Sequence, residues 1–128
     1  MKLQLSADTR FRDVKKVFEN SFPYLKLEFF RKKHGIQDGN IKNDIVVDRD
    51  TIIHVAGARE GEIEVKPWQT VAELEQVFQT KFYLPVHVFR KTKFSWTDTA
   101  TTDQFTLEKQ NRMGREACDK FYDKVELL

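Results

Sequence analysis

The sequence predicts an α+β fold built from two strand–helix–strand units, on three observations. Apolar residues alternate at period two in four short runs, the mark of half-buried strands. Between the runs of each pair, apolar residues step at helical spacing. The second pair repeats the first: Leu3-Gln-Leu-Ser6 lies over Ile63-Glu-Val-Lys66, 60 positions on.

The elements follow in order. Leu3 and Leu5 alternate with Lys2, Gln4 and Ser6, giving a first strand. Phe11, Val14, Val17, Phe18 and Phe22 form one stripe of a helix, and Pro23 stands where that helix must stop. Leu25, Leu27 and Phe29 alternate again. In the second unit Val71, Leu74, Val77, Phe78 and Phe82 repeat the stripe. Thr70-Val-Ala-Glu73 fits a capping box at its start, and Pro85 follows its end. After a one-residue slip, Leu25-Lys-Leu-Glu-Phe-Phe-Arg-Lys32 lies over Leu84-Pro-Val-His-Val-Phe-Arg-Lys91. The shared Phe-Arg-Lys ending exceeds what common periodicity explains, so the units read as an internal duplication, 3–32 and 63–91.

Two such units in series make a β-α-β-β-α-β order, the ferredoxin-like arrangement: parallel strands within each unit, one sheet, both helices on one face. The layer beneath the helices is expected to hold Leu3, Leu5, Leu27, Phe29, Ile63, Val65, Val86 and Val88. Residues 33–61 form a linker or insertion, with a Gly-punctuated loop at 33–40. In it Ile45-Val-Val47 and Ile52-Ile-His-Val55 read as a short hairpin about Asp48-Arg-Asp50. Residues 97–128 read as a helical extension with no counterpart in the repeat. A helix is expected from Thr106 through Leu107, Gln110 and Met113, bent or ended at Gly114, then a weaker apolar run at Phe121, Tyr122, Val125 and Leu128.

Composition bounds the function classes. The chain has 128 residues, 40% hydrophobic and 33% charged, which is globular and of single-domain size. Its net charge is only +2, so any basic function rests on local clustering. Cys118 is the single cysteine, which excludes an internal disulfide and suits a reducing compartment. Met1-Lys2 is followed by Leu-Gln-Leu-Ser, not by an apolar leader, and no run approaches the ~20 apolar residues of a membrane helix. The expectation is a cytoplasmic protein with no membrane partner.

No reaction motif stands out. Asp44, Asp48, Asp50 and His54 lack the spacing of a calcium loop, and His34, His54 and His87 lack ligand spacing, so no metal or cofactor is expected. Gly57-Ala-Arg-Glu-Gly61 is a turn, without the Lys-Ser or Lys-Thr of a phosphate loop. Cys118 lies among Glu116, Asp119 and Lys120, where neighbouring acids disfavour a thiolate. Glu28 and His87 hold equivalent positions in the two units, but in a ferredoxin-like sheet they sit on opposite edges, about 14 Å apart, too far for a dyad.

The outer sheet face is more informative. Phe30 and Phe89 are equivalent and point away from the helices, with Lys26, Lys32, Lys91 and Trp96 beside them. These residues are expected to form an interaction surface covered by the C-terminal segment, by another copy of the chain or by a protein partner. The alternative is single-stranded nucleic acid, held through Arg31, Lys32, Arg90, Lys91 and Lys93 with the rings stacking on bases. Against it, the central strands carry Lys2, Gln4, Ser6, Glu62, Glu64 and Lys66, not the stacking rings of RNA-recognition domains. The reading that emerges is a non-catalytic binding or assembly module, followed by the nucleic-acid binder and, third, an enzyme with a small-molecule site of no familiar motif.

Overall fold

The computed structural model describes residues 1–31 and 44–126, with side chains through Asp119. It is mixed α+β. In chain order come β1 (Lys2–Leu5), α1 (Phe11–Ser21), β2 (Leu25–Phe29), β3 (Gly61–Glu64), α2 (Val71–Val77), β4 (Val86–Lys91), β5 (Trp96–Asp98) and α3 (Leu107–Glu126). The strands form two antiparallel sheets, β1-β3 and β2-β4-β5.

This differs from the ferredoxin-like order, in which β3 would pair with β2 and β4 with β1 in one sheet. Each unit instead sends its first strand to one sheet and its second to the other. The helices do not form a layer over one sheet either: α1 packs on both β1 and β2, α2 on β4, and α3 on β4 and β2. Alternation reports which face of a strand is buried and is silent on which edge it pairs with. The eight residues expected in the layer are all buried, together with Phe11, Val14, Phe18, Phe22, Val71, Leu74, Phe78 and Phe82. Val17, assigned to the same stripe, is 42% exposed.

The helix starts explain how the rest of the chain attaches. A helix leaves its first N–H groups without internal partners. Arg10 offers α1 no side-chain cap. Instead the carbonyls of Asp50 and Asp48 accept from Phe11 N (3.0 Å) and Arg12 N (2.8 Å). On α2, Thr70 caps Glu73 N at 3.1 Å as expected, and the carbonyls of Phe105 and Asp103 accept from Val71 N (3.1 Å) and Ala72 N (2.8 Å). The two helix starts are served in the same way by segments drawn from the linker and from the tail.

That correspondence runs further. Arg10 bridges Thr51 as Thr70 bridges Thr106. Thr51 caps the short 3₁₀ helix Ile52–His54, and Thr106 Oγ1 accepts from Lys109 N at the start of α3. Ile52 and Leu107, one place further on, are both buried. Before these segments, Ile45 bridges Phe30 and Val46 N donates to the Phe29 carbonyl, while Asp98 pairs with Phe89 and Thr99 N donates to the Val88 carbonyl. Residues 98–107 of the tail thus make bonds that parallel those of residues 45–52 of the linker. The hairpin expected at 44–55 is absent among the described residues: its first apolar run meets the end of β2 through Ile45 and Val46, its turn residues Asp48 and Asp50 meet the start of α1, and its second run forms the 3₁₀ helix Ile52–His54.

Two local features absorb differences between the units. The second has one residue fewer between helix and strand. There α2 continues as a π-helical turn over Phe78–Phe82, and Tyr83 N donates to the Phe78 carbonyl from a left-handed conformation (φ 50°). At Gly114 the helix α3 does not end. It crosses β2 and β4 so closely that a Cβ there would stand 2.8 Å from Tyr24 Cβ. The loop 33–40, and the side chains of Phe121, Tyr122, Val125 and Leu128, lie outside the described residues.

Candidate functional site

The outer face of β2-β4-β5 gathers most of the residues singled out in the sequence. Directly opposite residues of an antiparallel pair point to the same side. Across β2 and β4, Glu28 stands opposite His87 and Lys26 opposite Phe89. Across β4 and β5, Phe89 stands opposite Asp98 and Lys91 opposite Trp96. Glu28 and His87 are therefore neighbours, not groups about 14 Å apart, since β2 pairs with β4 rather than lying on the far edge from it.

Each is engaged by its own helix. Lys15 of α1, with its side chain only 10% exposed, binds Glu28 Oε1 at 3.1 Å and also Asp48. The equivalent position on α2 is Glu75, whose Oε2 lies 3.7 Å from His87 Nδ1 and accepts from Val88 N at 3.0 Å. The same helix-to-strand contact is made twice with acid and base exchanged. Burial pushes the Glu75 carboxyl up from 4.5 to about 7; the Val88 N–H opposes that shift, and the carboxylates of Asp98 and Asp103 add to it. Lys15 and Glu75 were missed in the sequence. Their signal was there: they occupy equivalent helical positions, carry opposite charge, and match an opposite-charge change from Glu28 to His87.

The aromatic residues divide. Phe30 is 1% exposed, bridged to Ile45 and set edge-on to His87 with ring centroids 5.0 Å apart. Among the described residues, Ile45 of the linker and His87 stand against it. Phe89 and Trp96 are half-buried, and the Lys26 ammonium lies over both, 5.7 Å from one ring centroid and 4.9 Å from the other. In the β4–β5 connection, Lys91 and Lys93 are exposed, and Phe94 is 81% exposed.

Of the basic residues of the nucleic-acid reading, the two arginines are engaged within the chain. Arg31 Nη1 donates to the Ile45 carbonyl and Nη2 lies 3.6 Å from Asp50. Arg90 turns to the other face, donating to Gln110 Oε1 and lying 3.8 Å from the Met113 sulfur. Lys32 lies outside the described residues. Cys118 is buried against the Thr92 carbonyl.

Glu75 Oε2 and His87 Nδ1 stand 3.7 Å apart, beyond direct hydrogen-bond distance. A described groove of about 190 Å³ lies elsewhere, lined by residues such as Leu3, Val14 and Val17 between β1 and α1. Among the described residues no group of three or more acids, histidines or cysteines is arranged to hold a metal ion, and no helix is long and apolar enough to cross a membrane. Comparison with protein-family models, with curated proteins and with solved structures finds no match.

Proposed function

We propose that the protein is a non-catalytic binding or assembly module that contacts a protein partner through the outer face of β2-β4-β5 and the connection between β4 and β5. The observation that carries this reading is Phe94, 81% exposed between Lys93 and Ser95, next to the half-buried Trp96 and Phe89. A large exposed ring beside further aromatics is characteristic of the centre of a protein interface, where such rings supply most of the contact energy. The single buried thiol suits the cytoplasm as its setting.

The connection also favours a second reading. Lys91 and Lys93 flank exposed and half-exposed rings, the pattern of a single-strand binder. It ranks lower because Phe30 is buried, Lys26 already caps Phe89 and Trp96, and Asp98 and Glu28 share the face.

The test uses the intact chain with a photo-reactive residue in place of Phe94, activated in the cells that make the protein, with a control at the exposed Glu19 on α1. A protein adduct is expected at position 94 and not at 19, and its mass separates a second copy of this chain from a different partner. No adduct at 94, with single-stranded oligonucleotide binding that weakens by about 0.7 log units per contact for each tenfold rise in salt and is lost in Lys91→Glu/Lys93→Glu, would replace this reading with the second.

A further inference from the structure

Both sheets are centred on residues that occupy equivalent places in the two halves of the chain. In β1-β3, Leu3 faces its equivalent Ile63, so that Lys2 faces Glu64 and Gln4 faces Glu62 as mirror-related pairs. In β2-β4, Glu28 faces its equivalent His87, and Leu27–Val88 on one side of that centre is answered by Phe29–Val86 on the other. A strand paired antiparallel with its own equivalent is self-complementary, the arrangement found across the axis of an isologous dimer. The bonds at the two helix starts and along the two sheet edges extend the equivalence to residues 44–52 and 98–107.

We infer that residues 2–31 with 44–52, and 61–91 with 98–107, are two copies of one self-complementary unit, and that the surface each half of the chain presents to the other accepts the matching half of a second chain, giving an exchanged dimer hinged at residues 56–60. The partner is a second copy of this chain. An exchanged dimer repeats every contact of the monomer except those of the hinge, so the hinge decides between the two. That hinge is a tight turn: Ala58 N donates to the Val55 carbonyl at 3.1 Å, and Gly57 supplies the positive φ (80°) that the third position of a type II turn requires. The inference goes beyond the reading of the Phe94 surface and does not depend on it. Phe94→Ala leaves the exchange unchanged.

Gly57→Val in the full chain tests it. A Cβ at this position meets nothing within 4 Å, so the substitution strains the backbone of the closed turn without disturbing the core. An extended hinge in the dimer relieves the strain in both chains, and the dimerisation constant is expected to rise on the order of a hundredfold. Sedimentation over a concentration series reads the mass against the 15.2 kDa monomer. Chains carrying Lys2→Cys or Glu64→Cys in the Gly57→Val background identify the exchange, because these positions are opposite across β1-β3. Oxidising the mixture is expected to give a covalent dimer that neither chain gives alone. Deletion of Gly57 and Ala58, which leaves the turn too short to close, is expected to give dimer only; where that variant does not fold, Gly57→Val decides. A Gly57→Val protein that stays monomeric at every concentration, or a dimer without the mixed crosslink, would overturn the inference.

Discussion

Replacing Glu75 by Gln is expected to stabilise the protein at neutral and alkaline pH and to flatten its stability profile. The Glu75 side chain is 22% exposed, with its carboxyl pushed up from 4.5 to about 7 by burial and by Asp98 and Asp103. Between those two values the folded state holds a proton that the unfolded chain has released. The stabilisation from this group is therefore complete below about 4.5 and is lost as pH rises through about 7. A shift of that size corresponds to roughly 3 kcal/mol, at about 1.4 kcal/mol per unit. Glutamine keeps an oxygen for Val88 N and removes the charge. Thermal melts at pH 4.5, 6 and 8 and constant ionic strength are expected to show the wild type losing stability as pH rises. The variant should be close to it at pH 4.5 and higher-melting at pH 8, by about 10 °C if the whole effect is expressed. A flat wild-type profile from pH 4.5 to 8, or a Glu75→Gln protein less stable than wild type at pH 8, would refute the reasoning.

Other substitutions have expected outcomes on the same assay. Lys15→Ala removes the cation shared by Glu28 and Asp48 and leaves the mostly buried Glu28 with Lys26 at 3.9 Å; it should cost about 1–3 kcal/mol at pH 7, the part-exposed lower range for breaking such a pair. Gln110→Ala strips partners from Arg90 and from the carbonyl and hydroxyl of Thr102 at a site with no exposure, and a loss of about 2–3 kcal/mol is expected in chemical denaturation. Gly114→Ala drives a methyl into Tyr24 and Arg90 and should lower stability by about 1–3 kcal/mol although alanine is the better helix former; an unchanged or higher melting temperature would show that α3 moves away freely.

Much of this architecture could be read from the chain because it is local. Period-two and helical spacing are imposed by the backbone, so Leu3, Leu27, Phe29, Val86 and Val88 declare a buried strand face, and Phe11, Phe18, Leu74 and Phe78 a buried helix stripe, before any tertiary contact is known. Thr70 could be placed as a cap for the same reason, since its bond spans three residues. The alignment of the two strand–helix–strand units came from the same patterns. Strand partners could not be read this way. Either edge of a strand offers the same N–H and C=O groups, and β2 meets β4 rather than β3 through contacts some sixty residues apart. That one difference turns Glu28 and His87 from distant groups into neighbours. The parallel bonding of the linker and the tail was not legible, because both lend main-chain carbonyls to helix starts. A carbonyl is the same in every residue, so Asp50 and Phe105 can serve Phe11 and Val71 identically while sharing nothing that a sequence comparison detects; only the folded chain brings them to equivalent places.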